Sequence, residues 1–223
     1  MASTRPRPFR FTLQASHLDH PDQLRPLARR AEDLGVSTLT VADHMDDQLA
    51  PIAALMAAAD ATTTLRIGTM VLANDYRHPV VLAKEAATVD VLSGGRLELG
   101  LGAGWMTSDY EGSGIPMDRA GVRVDRLEEA VQVVTALWSG EPVDLDGEHY
   151  QVRGLVGLPR PLQRPHPPLV IGGGGRRVLG IAARYADIVA LNPDLRAGVI
   201  DAQAGPSATA AATEAKLAHV REV

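Results

Sequence analysis

Residues 65–105, LRIGTMVLANDYRHPVVLAKEAATVDVLSGGRLELGLGAGW, decide the fold. An apolar, β-branched run (65–72) comes first. A helical pattern follows from "RHPVVLAKEAATVDVLS" and stops at Ser93, Gly94 and Gly95. A second apolar run (97–101) closes the stretch. Pro79 is well placed in a helix first turn, where its missing N–H has no partner to lose. Both runs are apolar on both faces, the mark of parallel strands covered on both sides.

The same rhythm extends outward. Further strands are predicted at 9–15, 38–42, 168–171 and 187–191. Leu24, Leu27, Ala28, Ala31 and Leu34 recur at helical spacing and Gly35 follows as a stop, with Pro26 lying inside the pattern. "QLAPIAALMAAADATT" reads as a second helix. "RVDRLEEAVQVVTALWSG" puts Val124, Leu127, Val131, Val134 and Leu137 on one face, with the Glu128–Glu129 pair on the solvated side. Strand and helix alternate at roughly 30-residue intervals, which leaves two parallel architectures, the (β/α)₈ barrel and the doubly wound sheet. "EPVDLDGEHYQV" departs from the rhythm as a β-hairpin around Asp146–Gly147. It is inserted before the fifth strand, and the Pro-rich "LPRPLQRPHPPL" leads back. The Ala-rich tail (204–223) is weakly amphipathic and is followed by no strand.

Composition bounds the function. The chain has 223 residues, 45% hydrophobic and 22% charged, enough to bury a sizeable core in one domain over residues 1–223. A net charge of −5 argues against a nucleic-acid surface, which needs a basic face. No cysteine is present, which excludes disulfides, thiol nucleophiles and thiolate metal sites. The start, MASTRPRPFRFTLQ, is basic with no apolar h-region, so no secretory signal is expected. No apolar run approaches a membrane span. A cytoplasmic protein with no nucleic-acid or membrane partner is the expectation.

In either parallel architecture, chemistry collects at the C-terminal ends of strands. That selects Gln14 after strand one and Asp43–His44 after strand two. It selects Thr69, Met70, Val71 and Asn74 at strand three, and "GLGAGW" (100–105) after strand four. "GGGGRR" (172–177) follows strand five. Asn192 and Pro193 follow strand six. As a histidine, His44 can exchange protons with a ligand, or the Asp43–His44 pair is a solvated loop. Asp46 and Asp47 share that loop, but no second His or Glu cluster completes a metal site, so no metal is expected. Gly100, Gly102 and Gly104 fail the G-x-G-x-x-G spacing. Small residues there let a ligand ring or another backbone approach closely. Gly172, Gly173, Gly174 and Gly175 precede a helical stretch, and free N–H groups there suit an anion such as phosphate. Arg176 and Arg177 would add charge-assisted contacts.

The segments "RRAEDLGVSTLTVADHM", "LRIGTMVLANDYRHPVVLAKEAATVDVLSGGRLELGLGAGW", "RVDRLEEAVQVVTALWSGEPVDLDGEHY" and "PLQRPHPPLVIGGGGRRVLGIAARYADIV", in this order, resemble luciferase-like monooxygenases. The resemblance is closer to the branch of coenzyme F420-dependent oxidoreductases. It implies a (β/α)₈ TIM barrel with an insertion before strand five, here with six recognisable βα units and the last strands missing. It implies a homodimer, a cofactor that is F420 or alternatively FMN, and a small organic substrate. It places Asp43 and His44 beside the cofactor ring as catalytic residues. Thr69, Met70 and Val71 match a strand-three bulge, often with a non-proline cis peptide, under the ring. Gly102 and Gly104 border the ring, and Gly172–Gly175 with Arg176 match the loop near the cofactor phosphate. Gln14, Asn74 and Trp105 would line the substrate pocket. Sugar-phosphate dehydrogenases of this branch carry a carboxylate where this chain has Trp105, so glucose-6-phosphate chemistry is not expected. The alternatives are an FMN-dependent monooxygenase and a catalytically inactive flavin-binding or interaction module.

Overall fold

The computed structural model describes residues 8–18, 20–202 and 204–223; the basic start read at 1–7 lies outside them. The first half alternates β1 (Thr12–Gln14), α1 (Leu24–Asp33), β2 (Thr38–Val41), α2 (Pro51–Asp60), β3 (Arg66–Thr69), β4 (Leu72–Ala73), α3 (Pro79–Leu92) and β5 (Leu97–Gly102). Helices α4 (Thr107–Ser113) and α5 (Ala120–Trp138) precede the hairpin β6 (Pro142–Asp146) and β7 (Gln151–Val156). The chain continues through β8 (Leu169–Gly173), α6 (Arg176–Tyr185), β9 (Ile188–Leu191), α7 (Ala204–Ser207) and α8 (Ala210–Glu222).

One parallel sheet carries the order β1-β2-β3-β5-β8-β9, with β4 also paired to β5. That order follows the chain without reversal. A doubly wound sheet must reverse at its switch point, so the topology is that of a barrel, open between β1 and β9. The strands are closed over by an aliphatic core in which Leu39, Ile67, Leu99, Leu169 and Ile171 are fully buried. Helices α3 and α5 pack together, and the Trp138 Nε1–H donates to the Ala83 carbonyl at 3.0 Å. Pro26 is the third residue of α1, inside the first turn whose N–H groups have no helical partner, so it leaves the helix intact.

Several expectations need correction. The first strand is shorter than 9–15, and Phe9 and Phe11 beside it are exposed. The strand expected at 65–72 is broken. Gly68 pairs with Glu98 and Leu72 with Leu101, so four steps along one strand oppose three along the other. This is a β-bulge, and the Met70–Val71 peptide within it is cis, so the unbroken strand read from the pattern gives way to the bulge that the family resemblance implied. The Glu128–Glu129 pair is not a solvated face: Glu128 pairs with Arg184 at 2.9 Å, and Glu129 accepts the N–H groups of Glu148, His149 and Tyr150 at 2.9–3.1 Å. Helix α5 thus holds the hairpin turn through one carboxylate. The Pro-rich segment is held likewise. The buried Asp90 of α3 accepts from the N–H groups of Leu162 and Gln163 and from Gln163 Nε2. The Ala-rich tail forms α8, with Thr209 as its cap.

Candidate functional site

Asp43 follows β2, the bulge lies between β3 and β4, and glycines end β5 and β8. These segments and Asn192–Pro193 after β9 open onto one cleft of about 660 Å³, a size typical of small-molecule and cofactor sites.

The floor of the cleft is the bulge. A Cβ on Gly102 would lie 2.8 Å from Val71 Cγ2, and one on Gly172 would lie 3.0 Å from Val71 Cγ1. One on Gly100 would strike the Thr69 carbonyl oxygen. The glycines of β5 and β8 therefore make room for the bulged strand and its Val71 side chain, which explains why a dinucleotide spacing is absent. Thr69 pins the bulge from below. Its Oγ1 accepts the Gly100 N–H at 2.8 Å and donates to the Gly100 carbonyl at 2.9 Å, standing in for the interrupted ladder.

One end of the cleft is suited to an anion. Gly175 caps α6 without a side-chain hydrogen bond, so among the described residues no side chain caps the first-turn N–H groups of that helix. Gly174 lies so close to Asn192 and Pro193 that a Cβ would come within 2.5 Å of both carbonyl oxygens. Arg176 stands exposed at the helix start, its Nη2 3.3 Å from His219 Nδ1. Arg177 pairs with Asp125. Arg123 is buried, lines the cleft and donates to the carbonyls of Ala103, Gly104 and Asp118.

The other end carries the imidazole. His44 Nδ1 lies 2.7 Å from Asp109 Oδ2, and the His44 ring meets Trp105 edge-on at 5.7 Å between centroids. The carboxylate that reaches His44 is therefore that of Asp109, not of its chain neighbour Asp43. Asp43 is engaged elsewhere: Arg77 holds both its oxygens, at 2.5 and 2.9 Å, and the Ala73 N–H donates to Oδ2 at 3.0 Å. This fixes the strand-two end against the turn after β4. Tyr76 donates to Asp109 Oδ2 at 3.3 Å; burial, and then the Asp109 charge, pushes its hydroxyl well above the ordinary range, so it stays protonated.

Of the residues selected from sequence, Asp43, His44, Met70, Val71, Gly102, Gly104, Trp105, Gly172–Gly175 and Arg176 all line this cleft. Three do not. Gln14 is exposed and donates to Ser16 Oγ at 2.8 Å. Thr69 lies under the bulge. Asn74 is buried, and its Nδ2 donates to Tyr150 Oη at 3.2 Å, tying the turn to the hairpin. Sequence reasoning missed Asp109, Tyr76 and Arg123. Asp109 and Tyr76 belong to two Asp–Tyr dipeptides, 75–76 and 109–110, that clasp each other: Tyr76 donates to Asp109, and Tyr110 to Asp75 at 3.0 Å. The repeated dipeptide was the one available signal.

An open, bulged barrel sheet with an anion end, an apolar floor and a carboxylate-held histidine defines a small-molecule site at the mouth of a barrel. The residues present fit a flat ring carrying a phosphate: the floor is the apolar bulge, and uncapped N–H groups with Arg176 meet the anion. Comparison with known proteins agrees. A family described as "Luciferase-like monooxygenase" matches residues 3–220, and the chain belongs to this family. It is 33% identical, over 81% of its length and 55% of the relative's, to an F420-dependent glucose-6-phosphate dehydrogenase of Microbacterium testaceum (strain StLB037). It is 28% identical, over 74% of its length and 47% of the relative's, to the FMNH(2)-dependent dimethylsulfone monooxygenase of Pseudomonas putida. The solved structure of monooxygenase RslO1 from Streptomyces bottropensis superposes with a TM-score of 0.79 at 25% identity, covering 96% of this chain and 65% of that one. The chain spans about half the length of the curated relatives it matches. Among the described residues, no helix is long and apolar enough to cross a membrane.

Proposed function

We propose that this chain carries the site of an oxidoreductase that moves a hydride between coenzyme F420 and a small organic substrate. The observation that carries the reading is the shared cleft, in which the Met70–Val71 bulge lies between an uncapped helix N-terminus and His44. When bound, the deazaflavin supplies the hydride donor or acceptor; the protein supplies binding, orientation and electrostatics. The α6 N–H groups, Gly172–Gly175 and Arg176 hold its phosphate. Val71 and Met70 support the ring. Trp105 walls the substrate space and excludes water, in place of a carboxylate that would bind a sugar. His44 holds or accepts the proton of the reacting group.

The second reading is an FMN-dependent monooxygenase, which the similarity to the dimethylsulfone enzyme supports. Equilibrium titration with F420 and with FMN, read by chromophore fluorescence, tests both. Tighter F420 binding, followed by anaerobic hydride transfer to a carbonyl panel, is the expected result. FMN preference with oxygen consumption would replace the first reading by the second. Binding of either cofactor with no turnover would reduce the chain to a binding module.

A further inference from the structure

We infer that Asp109 is the positioning residue that fixes His44 as its Nδ1–H tautomer, so that Nε2 meets a substrate whose reduced form bears a hydroxyl. The inference rests on the hydride-transfer reading for its chemistry, but its structural half stands alone.

Asp109 is 4% exposed and lies in the first turn of α4. Three groups from two other segments converge on it. The Met45 N–H donates to Oδ1 at 3.1 Å, Tyr76 donates to Oδ2 at 3.3 Å, and His44 Nδ1 lies 2.7 Å from Oδ2. A backbone N–H can only donate, so Oδ1 is an acceptor. The tyrosine is kept protonated by burial. With Met45 N–H on one oxygen and the Tyr76 hydroxyl on the other, this carboxyl group is an acceptor hub, and we take the imidazole as its third donor. The shared proton therefore sits on Nδ1, and Nε2 carries the lone pair. Among the described residues no hydrogen bond reaches Nε2, while Trp105 packs edge-on against the ring and limits its rotation.

The position of Asp109 is itself secured. Tyr110 donates to Asp75, which also receives Arg126 at 2.7 Å, and Tyr76 packs edge-on against Tyr110 at 5.5 Å. Helix α4 is thus locked to the turn that supplies Tyr76, and the acceptor cannot drift from His44. An Nε2 lone pair suits a substrate O–H at the reacting carbon. In the oxidative direction the carbon loses hydride to the cofactor, and the hydroxyl proton passes to Nε2, leaving a carbonyl. In the reductive direction the imidazolium returns that proton as the carbonyl carbon gains hydride. An alcohol–carbonyl couple is the substrate class this arrangement fits.

Histidine-selective ¹⁵N labelling and long-range ¹H–¹⁵N correlation near pH 8 test the tautomer without cofactor, with the His44 signal identified by its loss in His44→Gln. The unaltered chain should give the Nδ1–H pattern at His44. Asp109→Asn, close in shape, should populate the Nε2–H form. An Nε2–H pattern in the unaltered chain overturns the inference with no variant needed. For the chemical half, Asp109→Asn should lower kcat for alcohol oxidation on the order of 10²-fold, with cofactor dissociation changed less than about twofold. Unchanged kcat would overturn it. Failure of the unaltered chain to bind either cofactor would count against the proposed function alone, and the tautomer would still decide the role of Asp109.

Discussion

Val71 and Gly102 occupy one space: a Cβ on the glycine would stand 2.8 Å from Val71 Cγ2, at the floor of the cleft. The absence of a side chain on β5 is what allows the bulged strand to cross above it. Gly102→Ala should therefore push Val71 into the cleft. Overpacking of this kind costs about 1–3 kcal/mol, readable as a lower urea midpoint. Cofactor binding should weaken more than stability does, because the displaced side chain forms the supporting surface. Gly180→Ala is the contrast. It lies within α6 with nothing within 4 Å of its Cβ position, and should stabilise the chain by about 0.4–1 kcal/mol.

The same relationship explains what could be read before folding. The βα rhythm was legible because parallel strands are apolar on both faces and helices are not, and both kinds of pattern are local. Strand ends followed from that rhythm, and His44, Met70, Val71 and the Gly172–Gly175 loop, selected at those ends, line one cleft. The bulge itself is not local. By pattern alone residues 65–72 read as one apolar strand; the bulge was expected only from the family resemblance, and the pairing with β5 shows the extra residue. Asp109 lies 65 positions from His44, in a short helix with no apolar period, so nothing in the spacing announced their contact. Glu129 was misread for a related reason. A carboxylate on a polar helix face looks solvated until a hairpin from further along the chain lays three N–H groups upon it.

Glu32 makes the acid limb of stability testable. It accepts the N–H groups of Thr64, Leu65 and Thr63 at the entry to β3, and these backbone donors, Thr64 first, pull its carboxyl from the ordinary 4.5 to about 2. A carboxyl lowered on folding stabilises the folded state fully above its unfolded value, and that contribution is lost as pH falls towards the folded value. The window is thus about pH 4.5 down to 2. Glu32→Gln should be less stable than the unaltered chain at pH 6, and the difference should shrink steadily across this window. Urea melts at several pH values measure it. A constant difference down to pH 2.5 would show that the charge is not what these amides recognise.

Asp90 makes a stronger claim on stability, because it is fully buried. Asp90→Ala would strand the N–H groups of Leu162 and Gln163 and free the Gln163 side chain. Losing a hydrogen-bond partner costs about 1–3 kcal/mol where the group stays buried, and less at Leu162, which is exposed. A loss at the upper end of that range is expected in denaturant melts. Amide exchange should rise first in residues 158–167. Uniform loss of protection over the whole chain would instead make Asp90 a general core residue.

Arg176 separates the anion from the ring. Among the described residues its guanidinium hydrogen-bonds only to His219 Nδ1, beside the uncapped start of α6. FMN and riboflavin share one ring system and differ by a phosphate, so they report on that group alone. An exposed charge-assisted contact lies at the lower end of the roughly 1.5–3 kcal/mol range for hydrogen bonds to charged groups. Arg176→Met should therefore weaken FMN binding about tenfold and leave riboflavin binding within about twofold. The FMN effect should fade with added salt, because the contact faces solvent. Equal weakening of both ligands would mean that the arginine shapes the ring site, and that the phosphate is held elsewhere along the cleft, where Arg123 already lies.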